Sequence, residues 1–86
     1  MVIHYTTAFK RMFRKLSRKQ RELVEAALKL FAMNPFDPRL HNHKLVGSRQ
    51  GVRSLSAGYD LRILYVEKDG HSVIFLLMVG NHDAVY

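Results

Sequence analysis

Seven consecutive apolar residues, Val73 to Val79, constrain this chain more than any other stretch. The run is too short to span a bilayer and too long to be left in water. It shows no period-2 alternation, so both of its faces are expected to be covered, as in the middle strand of a small sheet. Gly80-Asn81 breaks the run, and His82-Asp83 come immediately after it. A buried strand that ends in titratable residues is a rigid support for chemistry, which makes His82 the first candidate for a functional side chain.

The segments before that run have helix and strand signatures. Val2-Ile3-His4-Tyr5 is short and β-prone, and Thr6 or Thr7 can cap a helix that starts beyond it. Phe9, Met12, Phe13 and Leu16 recur at helical spacing. Ser17 and Gln20 form a capping-box pattern ahead of a second apolar stripe, Leu23, Val24, Ala27, Leu28 and Phe31. Asn34-Pro35 should end this second helix, because the residue before proline is pushed out of the helical region. Residues 34–50 hold both prolines and read as the one long irregular segment. Strands are expected at Val52–Ala57, Leu61–Glu67 and Val73–Val79, with Gly58-Tyr59 and Lys68-Asp69-Gly70 as turns. The expected order is β-α-α-β-β-β, an α+β fold with an antiparallel sheet, a helical hairpin on one face and the other face open. Asp60 and Arg62, two apart, are expected on one strand and one face.

An apolar content of 48% in 86 residues indicates a single globular domain, residues 1–86. With no cysteine, neither a disulfide nor a thiolate metal site can form. The few carboxylates make no recognisable ligand cluster, so no metal and no cofactor is expected. Nothing near Met1 reads as a signal peptide, and the expectation is a soluble cytoplasmic protein without membrane contact. The net charge of +7 is concentrated. Residues 1–33 carry eight basic and two acidic side chains, whereas residues 34–86 carry six and five. Such a field favours a polyanionic partner, nucleic acid ahead of a membrane surface.

Four short motifs occur in order: His43-x-Leu45-x-Gly47, Gly51-x-Arg53, Asp60-x-Arg62-x-x-Tyr65 and Gly80-x-His82-x-x-x-Tyr86. Together they resemble the RelE/ParE superfamily of type II toxin–antitoxin toxins, and most closely its YafQ-like and RelE-type messenger-RNA interferases. The resemblance covers essentially the whole chain. It implies a ribosome-dependent endoribonuclease that cuts messenger RNA in the decoding site, and a cognate antitoxin that neutralises it. By position, His43, Asp60, Arg62, His82 and Tyr86 match the family's loop histidine, strand-opening aspartate, arginine, late histidine and terminal aromatic. The family pattern has a histidine at Ser56, an aromatic at Leu61 and an arginine near Met78. Those departures leave Arg62, with Arg53 or Lys44, to stabilise the phosphate, and they imply reduced or altered nuclease activity.

Metal-independent RNA cleavage needs a base for the ribose 2′-OH, a cation for the phosphorane and an acid for the 5′-oxygen. Histidine suits either proton role. On the resemblance, His82 is expected to be the acid, Asp60 or His43 the base and Arg62 the phosphate clamp. Lys10, Arg11, Arg14, Lys15 and Arg18 are expected to hold ribosomal RNA phosphates or an acidic antitoxin segment, with Lys44, Arg53 and Tyr86 as further RNA contacts. Arg53 shares a strand face with Leu55, so a structural role is open to it as well. His4 and His71 are expected to be bystanders. The competing functions are a ParE-like inhibitor of DNA gyrase and a non-catalytic member that only binds antitoxin or RNA. A pure binding protein has no need of an acid–base set, which argues against the first of these.

Overall fold

In the computed structural model, which describes residues 1–86 except the side chain of Ser48, the strands are β1 (Val2–Tyr5), β2 (His43–Lys44), β3 (Arg53–Ala57), β4 (Leu61–Lys68) and β5 (Val73–Asn81). The helices are α1 (Thr7–Arg14), α2 (Arg18–Met33) and α3 (His82–Val85). The α+β arrangement is the expected one, extended by β2 inside the 34–50 segment and by α3 at the chain's end. In the sheet the order is β1-β5-β4-β3-β2. All neighbours are antiparallel except β1 and β5, which pair in parallel from Val2↔Val73 to Tyr5↔Leu76. The sheet is therefore mixed, not antiparallel throughout. No short turn links β1 to β5, and parallel pairing lets β1 deliver the chain directly into α1.

Local sequence explains the helix ends. Thr6 Oγ1 accepts from the Phe9 amide at 3.2 Å and donates to the Leu76 carbonyl at 2.7 Å, so it caps α1 and ties it to β5. Ser17 and Gln20 form the full capping box, with bonds of 2.9 and 3.1 Å. At the far end, Asn81 does not break β5. It closes the strand and caps α3, its side chain accepting from the Ala84 amide at 2.8 Å.

Both helices of the hairpin pack on one face of the sheet. Phe9, Val24, Leu28 and Phe31 meet Leu55, Ile63, Tyr65, Ile74, Leu76 and Val79 in the core. The apolar run Val73–Val79 sits inside the sheet, but β4 and not β5 is the middle strand. Its two faces are also unequal: Ile74, Leu76 and Val79 are buried, while Phe75, Leu77 and Met78 are half-buried. A bulge accounts for the missing alternation. Leu64 pairs with Met78 but Tyr65 pairs with Leu76, so Leu77 is an extra residue that shifts the inward positions from 74 and 76 to 79.

Candidate active site

Cross-strand partners project to the same face, so the register places every side chain of the open face. One row runs His43, Ser54, Leu64, Met78, and the next runs Ser56, Arg62, Gly80. Onto these rows folds α3. Leu64 and Val85 are fully buried although neither belongs to the main core, so they form a small second layer on this side. Gly80 makes the approach possible, because a Cβ there would lie 3.0 Å from the Ala84 Cβ.

The terminal residues of α3 connect the two candidate histidines. Tyr86 hydrogen-bonds through its hydroxyl to the fully buried Ser54 hydroxyl. Its ring meets the His82 ring edge-on, with centroids 4.5 Å apart. His82 is the first residue of α3, exposed, with Nδ1 3.6 Å from Asp83 Oδ1. His43 lies directly opposite Ser54 across the β2–β3 pair. Its Nδ1 is 2.7 Å from the His41 carbonyl oxygen. A carbonyl only accepts, so Nδ1 carries the proton in this contact, and His43 as a whole is exposed. His41 itself adopts a left-handed backbone, φ 50°, closing the short turn Pro38–Leu40 and aiming its carbonyl at the ring.

Two guanidinium groups stand on this face. Arg62 donates to the Leu61 carbonyl at 2.9 Å, which holds its charge over the β3–β4 turn, next to Gly80 and the start of α3. Arg49 reaches from the second short turn, Gly47–Arg49, and points Nη1 at Met78 Sδ, 3.7 Å away. Sequence reading missed Arg49, because it lies in the irregular segment where no periodicity assigns a face. It brings a positive charge to the neighbourhood of Met78.

The remaining candidates are more scattered. Asp60 is exposed and ends the turn opened by Gly58 (φ 81°), so it does not share a strand with Arg62. It still adjoins the end where Leu61 pairs with Asn81, the residue before His82. Lys44 and Arg53 pair on the opposite side of the sheet from His43 and line a polar cleft under residues 44–51. Lys10, Arg11, Arg14, Lys15 and Arg18 are exposed on and beside α1. That helix packs along β5 beyond the point where β1 ends, and Met12 reaches to 3.7 Å of a Cβ built at Gly80. Among the described residues, no group of His, Asp or Glu converges as a metal site. The arrangement brings His82 against Tyr86, Tyr86 onto Ser54 opposite His43, and two guanidinium groups to the same side of the sheet.

The full chain, residues 1–86, matches the family model described as the bacterial toxin of type II toxin–antitoxin system, YafQ. Among solved structures, YafQ from E. coli strain BL21(DE3) superposes with a TM-score of 0.81 at 18% identity, covering 98% of this chain and 96% of that one. A YoeB/ParE toxin from Agrobacterium tumefaciens gives 0.78 at 14% identity, with coverage of 95% and 99%. The RelBE2 toxin–antitoxin complex from Mycobacterium tuberculosis gives 0.66 at 23% identity, with 94% and 96% covered. At these identities the likeness is one of fold. No curated protein matches the chain in sequence.

Proposed function

The chain belongs to the YafQ family of type II toxin–antitoxin toxins, and on that premise we propose that it is a ribosome-dependent endoribonuclease that cuts messenger RNA without a metal. One observation carries this reading: Tyr86 packs on His82 and bonds Ser54, the cross-strand partner of His43, on a face that also carries Arg49 and Arg62. His43 Nε2, or Asp60 from the adjacent turn, takes the proton of the ribose 2′-OH as the oxygen attacks phosphorus. Of the two, His43 is the better placed, since the His41 carbonyl holds its Nδ1 and leaves Nε2 as the nitrogen for proton transfer. Arg62 and Arg49 face the charge that grows on the phosphorane. The P–O5′ bond breaks, and His82 gives its proton to the departing 5′-oxygen. The products are a 2′,3′-cyclic phosphate and a 5′-hydroxyl. The Arg49 guanidinium supplies a cation that Met78 does not.

The partner we assign is a cognate antitoxin protein, by analogy with the E. coli DinJ–YafQ complex, whose toxin has this fold. The exposed cations around α1 suit ribosomal RNA phosphates, which makes ribosome association steeply salt-dependent. Action on the ribosome also implies a cytoplasmic protein.

Primer extension on ribosome-bound messages after induction of the chain tests this reading. Cuts phased with the codons are expected. Intact messages would overturn it, and a loss of DNA supercoiling in their place would point to gyrase as the target.

A further inference from the structure

The segment between α2 and β2 contributes none of the proposed reacting groups until it reaches His43, yet an aromatic and polar clamp holds it. Phe36 packs edge-on against His71, with centroids 5.0 Å apart, and lies under the Arg53 guanidinium at 5.4 Å. The Arg53 Nε donates to Asn42 Oδ1 at 2.9 Å, and Asn42 Nδ2 donates to the Pro35 carbonyl at 2.9 Å. Asn42 is the residue immediately before His43, and the backbone of His41, just before that, fixes the His43 ring.

His71 anchors the far end of this clamp. A left-handed backbone, φ 68°, turns it out of the β4–β5 turn and under the sheet. Its side chain is only 10% exposed, with Nε2 2.8 Å from Tyr65 Oη. The charged groups facing it are Glu67, whose Oε1 lies 3.7 Å from Nδ1 and accepts from the His71 amide at 2.7 Å, and Arg53. Burial draws the imidazole below the usual histidine range, so at neutral pH the ring is uncharged and packs as an aromatic.

We infer that Phe36, Arg53 and His71 are positioning residues that clamp residues 34–42 against the sheet and so hold His43 in its Nδ1-protonated state. The inference rests on the proposed role of His43. It assigns His71 a function that its place beside a hairpin turn did not suggest. It also accounts for Arg53 through Asn42 and Phe36 and not through RNA. Release of the clamp frees the His41 carbonyl from the ring, and small displacements of a reacting group are costly, up to about 100-fold for 1 Å.

Nitrogen-15 NMR of the His43 imidazole tests this independently of cleavage. In the unaltered chain the Nδ1–H tautomer should dominate. In Phe36→Ala and Arg53→Gln the balance should move toward the Nε2–H form, with kcat about tenfold lower and KM within about twofold. Phe36 is 56% exposed, so its truncation leaves the core intact. His71→Ala should behave likewise, and His71→Phe, which keeps the ring contact, should restore both tautomer and kcat. A His43 that stays Nδ1-protonated in folded Phe36→Ala and Arg53→Gln overturns the inference. Equally, a His43 with no Nδ1–H preference in the unaltered chain overturns it. A tautomer shift in a chain that never cuts RNA upholds the clamp and refutes the nuclease reading alone.

Discussion

Along β4, Ile63 and Tyr65 point into the core beneath the helices, while their neighbours Arg62 and Leu64 point to the side that carries α3. The covered face is built from large apolar side chains in mutual contact. The open face carries serines, a glycine, a methionine, an arginine and the one buried leucine, Leu64, under one short helix. The first arrangement makes stability, because each buried side chain removes apolar area from water. The second buries only a small layer, Leu64 and Val85 with Ser54, and leaves groups such as Arg62 and the exposed His82 to meet a ligand. One set of strands thus separates folding from chemistry by the alternation of its side chains.

Substitutions on the two faces should therefore fail in different ways. Phe31→Ala on the covered face removes a fully buried ring that stacks edge-on with Tyr65 at 5.0 Å. It should cost about 3–5 kcal/mol of unfolding free energy in a urea titration. Arg62→Ala on the open face should leave the unfolding midpoint nearly unchanged and slow cleavage about 100-fold, equivalent to about 2.7 kcal/mol. Tyr86→Phe removes the partner of a buried hydroxyl at Ser54 and should cost about 1 kcal/mol, read by thermal melting.

The smallest effect concerns pH. His71 has a lowered pKa in the folded chain, so as pH falls through about 6.5 the unfolded chain binds its proton first. Stability should decline from that point down to the pH at which His71 titrates in the fold, and no further on its account. His71→Phe should flatten this part of the stability–pH curve. An unchanged slope would mean that another group is responsible.

The elements were legible wherever local chemistry decides them. Ser17 with Gln20, the Thr6 or Thr7 cap, which falls to Thr6, and the stripe from Val24 to Phe31 each led to the structure found, although Leu23 stays exposed, because caps and helical periodicity act within a few residues. What escaped was set by long-range pairing. The bulge at Leu77 hides alternation inside an apolar run, the parallel β1–β5 pair depends on the whole intervening chain, and β2 is too short to show a pattern. The candidate site divides in the same way. His43, Arg62, His82 and Tyr86 were singled out through motifs, and the register and α3 bring them to one side of the sheet. Arg49 and the clamp on His43 join segments distant in sequence, and only the folded chain reveals them.

The separation of the faces makes His82 the sharpest probe, since it is exposed at the start of α3 and supports nothing in the core. The deciding measurement is the single-turnover cleavage rate of His82→Ala on ribosome-bound messenger RNA, beside its unfolding midpoint. The account predicts a rate about 100- to 10,000-fold below that of the unaltered chain, with the midpoint preserved. A rate equal to that of the unaltered chain would contradict it.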